Sequence, residues 1–192
     1  NDLAVGGMVE RSGPGAYRLG LRLLALGNHV RARLDVRELA VRPMQELHRL
    51  TGHTVSLFVR QEDDALCVER TVSERSGVQV TRVMGLRVPL ASHAAGKLLM
   101  LQDSTTVLQV LAAAQGLRLE SLQAELAAIR QQGLALDSDS PDPLLQLAAA
   151  PVYDDQGRVC AALVLNAPVA RFGQDWQDAL KHTAARISAS LG

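Results

Sequence analysis

Two apolar runs near the C-terminal end dominate the hydropathy pattern. Residues 144–152 and 159–165 are almost continuously apolar and flank Asp154-Asp155-Gln156-Gly157. Short apolar runs on either side of a polar turn that ends in Gly predict a β-hairpin. Strands without polar alternation have both faces covered. Asp137, Gln146 and Asn166 are isolated polar positions in or beside this hairpin. A few polar groups on a buried wall suit a small-molecule pocket better than a catalytic centre.

The rest of the pattern predicts further hairpins and helices. Residues 55–59 and 65–72, joined by Gln61-Glu62-Asp63-Asp64, read as a second hairpin, with 78–83 as another strand. Near the start, Met8-Val9-Glu10-Arg11 and Ala16-Tyr17-Arg18-Leu19 flank Ser12-Gly13-Pro14-Gly15, a hairpin with a Gly/Pro turn. Helical spacing covers 19–34, where Leu23, Leu26, Val30 and Leu34 share a face. A separate helix is expected from an Asp35 N-cap, with Glu38 completing a capping box, to Gly52. Pro43 predicts a kink in it. Shorter helices are expected over 92–101, 104–114 and 119–132. A closing helix over 174–191 carries Trp176, Leu180, Ala184, Ile187 and Leu191 in one stripe. Strands gathered in two groups predict an α+β fold, an antiparallel sheet flanked by helices, rather than a doubly wound parallel fold.

Composition narrows the function. The 192 residues fit one ordinary domain with an appended piece. Aromatics are only 3% against 47% hydrophobic residues, so the core is Leu, Val and Ala, and few rings exist to stack on bases. Twenty basic and twenty acidic side chains cancel, which excludes nucleic-acid binding over the whole surface. Residues 1–37 differ. Arg11, Arg18, Arg22, Arg31, Arg33 and Arg37 stand against Asp2, Glu10 and Asp35, a net +3, so an anionic partner is expected only at that end. Cys67 and Cys160 lie in apolar strands and read as buried, inert thiols in a reducing compartment. No apolar run reaches about 18 residues, so no membrane span is expected. The histidines are scattered without metal-ligand spacing, so no metal or cofactor is expected. Ser92-His93 lacks an orienting third group and an oxyanion motif, which argues against nucleophilic catalysis.

An ordered set of motifs carries a family likeness. It runs Tyr17-Arg18-Leu19-Gly20, Leu50-Thr51-Gly52-His53-Thr54-Val55, Gly85-Leu86-Arg87-Val88-Pro89-Leu90 and Ala95-Gly96-Lys97. It continues with Ala148-Ala149-Ala150-Pro151-Val152-Tyr153-Asp154, Gly157 and Ala167-Pro168-Val169-Ala170-Arg171. Together these resemble the IclR family of bacterial transcription regulators. The resemblance implies a winged helix-turn-helix that binds DNA, a linker helix and a GAF-like effector-binding domain. Residues 1–18 would be the remnant of the wing, with Arg11 and Arg18 at the DNA. Residues 19–34 would be the linker, and 35–192 the effector domain; the recognition helix would lie outside the chain.

The resemblance also implies a pocket. Ala94 and Ala95 would border it before Gly96-Lys97, with Asp137, Leu145 and Leu147 on one strand pair and Val164 and Asn166 on the last strand. Similar proteins that bind small carboxylates place serines at the last two positions and a thiol at the Leu147 position. The residues here imply a larger or more apolar effector, an organic or aromatic acid, because lost hydroxyls cannot satisfy a two-carbon carboxylate. The loop Ser138-Asp139-Ser140-Pro141-Asp142-Pro143 carries two prolines where many relatives have a Glu-rich stretch and a Gly. His93 and Lys97 are secondary candidates, and for each a structural role is the plainer reading. A cytoplasmic, non-enzymatic regulator that forms homodimers or homotetramers is expected. The alternatives are a GAF-like enzyme using cysteine chemistry and a dimerisation module without a ligand.

Overall fold

The computed structural model describes residues 6–13, 16–74, 77–81, 85–137 and 144–191; the side chains of Arg11, of residues 24–35 and of residues 72–81 fall outside the description. A small hairpin opens the chain, with β1 (Val9–Gly13) antiparallel to β2 (Ala16–Leu19). Helix α1 (Leu21–Thr51) follows and ends at Gly52, whose φ of 72° gives the left-handed C-cap that glycine adopts most readily.

Then come β3 (Thr54–Gln61), β4 (Asp64–Glu74), β5 (Gly77–Thr81) and the short β6 (Arg87–Pro89). Three helices cross over: α2 (Ala94–Leu99), α3 (Thr105–Ala114) and α4 (Leu119–Gln132). The chain returns as β7 (Ala135–Asp137), β8 (Leu145–Tyr153) and β9 (Val159–Pro168), and closes with α5 (Gln174–Ala189). The main sheet runs β5-β4-β3-β9-β8-β7, with β6 beside β4, and every pairing is antiparallel. The α+β architecture expected from the clustered strands is the one observed.

Helices cover the sheet on both sides, so its strands read as continuous apolar runs. Toward α1 and α5, the core contains Val36, Ala40, Met44, Val55, Leu57, Leu163, Leu165, Leu180 and Ile187. Toward α2, α3 and α4, it contains Phe58, Cys67, Leu90, Leu98, Leu126, Ala149, Ala162 and Val164. Burial of this size is the main favourable term in folding.

Three local readings change. No break occurs at Asp35: the expected linker and the expected capped helix are one helix of 31 residues with Pro43 inside it. Val36, Ala40, Met44 and Leu47 are all buried against the sheet, so packing outweighs both the capping-box signal and the hydrogen bond Pro43 cannot donate. The helix expected over 92–101 is only the six residues of α2, because His93 caps its start and Met100 already leaves it. Cys160 is half-buried rather than buried, being the second residue of β9 after the turn. The stripe Leu23, Leu26, Val30 and Leu34 and the loop 138–143 lie in large part or wholly outside the described side chains and residues.

Candidate functional site

Strand register assembles the site. Residues directly opposite one another in an antiparallel pair point to the same face. Asp137 pairs with Leu147, Leu147 with Asn166, and Asn166 with Thr54. Four strands thus place Asp137, Leu147, Asn166 and Thr54 in one row. The next row on that face is Ala135, Ala149, Val164, Ser56 and Arg70. Leu145, opposite Pro168, lies one step beyond the first row. Helix α2 packs on this face, and its Ala94 and Ala95 share a buried cluster with Ala149 and Val164, with Leu147 against it. All seven predicted effector contacts therefore belong to one face, or to the helix lying on it. Gln146 does not. It pairs with Ala167, and strand alternation turns it to the opposite side.

The face is covered at one end and open at the other. Under α2, Ala149, Ala162 and Val164 are sealed, whereas Leu145, Leu147, Asn166 and Thr54 are only half-buried. Glycine lets α2 pack against the turn that leads into it. A Cβ on Gly96 would collide with the backbone of Leu90, so only glycine lets the helix settle there. The start of α2 is held by His93, whose Nδ1 accepts from the Ala95 amide at 3.2 Å. Its far side is held by Lys97, 9% exposed and 2.6 Å from the Glu125 carboxylate on α4. Lys97 is thus a structural residue here, tied to α4.

The polar groups at the open end are few. Asp137 is 7% exposed, and its charge acts on the His93 ring. Burial holds the His93 pKa below the usual imidazole range and Lys97 pushes the same way, while Asp137 opposes both. With Nδ1 accepting, the neutral ring carries its proton on Nε2. Asn166 Oδ1 is buried without a hydrogen-bond partner. Burial pushes the Cys67 and Cys160 thiols up to about 11, so both are poor nucleophiles. Among the described residues no group of three or more His, Cys, Asp or Glu could hold a metal. At the other end of the chain, Arg18 is exposed and paired with Glu10 at 2.7 Å across the opening hairpin; the Arg11 side chain lies outside the description.

Sequence reasoning missed Thr54, Ser56 and Arg70, which β3 and β4 bring to the same face. An arginine inside the apolar run 65–72 was the available signal. A separate groove of about 300 Å³ lies elsewhere, between β8 and α5, lined by Ala150, Pro151, Tyr153, Lys181, Ala184 and Ser188 among others. None of the predicted effector residues lines it.

Residues 28–189 match the family model described as "Bacterial transcriptional regulator IclR C-terminal". The chain belongs to the IclR family. The HTH-type transcriptional regulator KdgR of Escherichia coli is 33% identical over 189 residues, which is 92% of this chain and 72% of that protein. The crystal structure of the C-terminal domain of the same regulator superposes with a TM-score of 0.68 at 28% identity, covering 82% of this chain and 99% of that one. An IclR homologue from Microbacterium hydrocarbonoxydans, solved with 4-hydroxybenzoate, superposes with a TM-score of 0.70 at 21% identity, covering 99% and 82%. These IclR relatives are named as HTH-type transcriptional regulators. Among the described residues no helix is long and apolar enough to cross a membrane.

Proposed function

We propose that this chain is the ligand-sensing part of an IclR-like regulator, and that a small effector binds at the open end of the sheet face beneath α2. One observation carries the reading: strand register sets Asp137, Leu147 and Asn166 in one row on the face that α2 packs against, with Leu145 and Val164 one step to either side. An apolar wall with a few converging polar groups is the usual make-up of a ligand site. The effector binds one arrangement of the sensor better than another, and the bias reaches operator DNA through α1. The solved relative holding 4-hydroxybenzoate supports a small organic acid as the ligand. Exposed Tyr17, Leu19 and Leu21 support assembly into dimers or tetramers near the DNA-binding end, where Arg11 and Arg18 would approach phosphate. Two free, unreactive thiols support a reducing cytoplasmic setting.

A screen of carboxylic and aromatic acids by thermal shift tests the reading, since a ligand that binds the folded form must raise Tm. Asp137→Ala and Asn166→Ala should each weaken the response; if both leave effector affinity unchanged, the site is elsewhere. The groove beside α5 is the second reading, favoured by its volume. Ala184→Leu would fill that groove, and loss of the response in this variant alone would move the effector there.

A further inference from the structure

The groove between β8 and α5 exists because the sheet narrows there. Strand β7 pairs with β8 only from Leu147 to Ala149, so β8 from Ala150 to Tyr153 has no strand on that edge. Helix α5 lies over the gap without filling it, since it presents Ala184, Ala185 and Ser188 to the groove. Gly133, the C-cap of α4, adds no side chain. A space of about 300 Å³ remains, at the lower end of the volumes that hold small ligands.

An open β edge invites another strand, but this one is closed to it. Pro151 has no amide to donate, and the Tyr153 amide is taken by Ser188 Oγ at 2.9 Å. The occupant is therefore a small molecule rather than an extended peptide. The Ser188 hydroxyl has no proton left for a ligand, because it already donates to the Ala184 carbonyl at 2.9 Å.

Lys181 is the charged residue of the described lining. It is half-buried and makes no ion pair or hydrogen bond among the described residues, which include every element bordering the groove. Asp178, one turn earlier on α5, accepts instead from Gln174 Nε2 at 2.9 Å. Arg186, further along the same helix, is paired with Glu46 at 2.7 Å. An ammonium held beside an apolar wall without a counter-ion favours an anion.

We propose that this groove is a second ligand site, for an apolar monocarboxylate. The carboxylate pairs with Lys181, and the hydrocarbon body lies along Ala150, Pro151 and Ala185. The site is separate from the face beneath α2 and does not rest on the effector reading there.

Calorimetric titration of the intact protein with octanoate, hexanoate, 1-octanol and octylammonium tests the assignment. Octanoate should bind tightest. The alcohol keeps the chain without the charge and should bind about fivefold more weakly or worse, with octylammonium weaker still. Hexanoate should lose about fivefold or more for its two missing methylenes. Lys181→Met keeps the length of the side chain and should bring acid and alcohol to equal affinity, whereas Lys181→Arg should keep the acid ahead. Ala185→Phe, at an exposed helix position, sets a ring in the groove and should abolish binding of both. An acid preference that survives Lys181→Met overturns the proposal, and so does octanoate binding that survives in folded Ala185→Phe. Absence of octanoate binding to the wild type overturns it outright. Binding that falls with Asp137→Ala and Asn166→Ala, and not with Ala185→Phe, would put octanoate beneath α2. The second site would then fall while the sensing reading stood.

Discussion

The two faces of the central sheet come from the same strands and end differently. Toward α1 and α5, the side chains of Val55, Leu57, Leu163 and Leu165 are sealed, and packing alone explains them. Toward α2, the next residues along the same strands are sealed only as far as the short helix reaches. Beyond it lie Leu147, Asn166 and Thr54, half-buried, with Asp137 and Arg70 at the sides. A period of two lets one strand hold the fold together on one side and present chemistry on the other. Adjacent residues should therefore fail in opposite ways when changed.

Leu165 and Asn166 give the sharpest test. Leu165→Ala should cost about 2–5 kcal/mol in urea or thermal unfolding, since it opens a cavity in a sealed face. Its effector response, measured where the variant is still folded, should survive. Asn166→Ala should show the reverse, a small change in stability and a lost response. A loss below about 1 kcal/mol for Leu165→Ala would mean that the faces are not so different. Gly96→Ala ranks next. The new Cβ would strike the Leu90 backbone, so α2 and the turn that leads into it must move apart at about 1–3 kcal/mol, and the effector response should fall along with stability. Unchanged affinity in that variant would show that α2 does not border the site.

Thr71 probes the junction between the sealed face and α1. Its hydroxyl accepts from the Val55 amide at 2.8 Å and lies 3.1 Å from His48 Nδ1. There the β3–β4 ladder ends at Ser56 and Arg70 while β4 runs on beside β5, and the Thr71 hydroxyl accepts from the Val55 amide where no ladder pair remains. Thr71→Val strips a buried amide of its partner and should cost about 1–3 kcal/mol. Hydrogen exchange at Val55 should rise with it; an unprotected Val55 amide in the wild type would refute the junction.

Much of this was legible in the chain, and what was not has physical causes. The apolar runs at 144–152 and 159–165 gave a buried hairpin because both faces of β8 and β9 are covered. Asp137, Leu147 and Asn166 came from family motifs, and strand register brings them into one row. Arg70 was passed over because it sits in an apolar run, and its meaning depends on a pairing with Ser56 that no local pattern encodes. Asp35 misled for a related reason. A capping box is a local signal worth about 1 kcal/mol, whereas Val36, Ala40 and Met44 gain more by extending one helix across the sheet. Gln146 was grouped with the site because composition does not reveal which face a residue takes until the register is fixed.

The smallest expected effect lies in the turn that joins the two halves of the hairpin. Asp154 Oδ1 accepts from the Gln156 and Arg158 amides, each at 2.9 Å, and Oδ2 from Arg158 Nε at 3.0 Å. Burial alone would push this carboxyl up, but the Arg158 and Gln156 donors outweigh it and hold its pKa below the usual 3.8. A carboxyl whose pKa is lower in the folded than in the unfolded state adds stability above the unfolded value. That stability disappears as pH falls through the folded value. Asp154→Asn should therefore cost about 1 kcal/mol at pH 7, with the gap between variant and wild type closing below about pH 4. Both faces of β8 and β9 depend on this turn for their register, so sealed core and open site should weaken together. A variant that shifted effector affinity without changing stability would show that the turn governs the two faces separately.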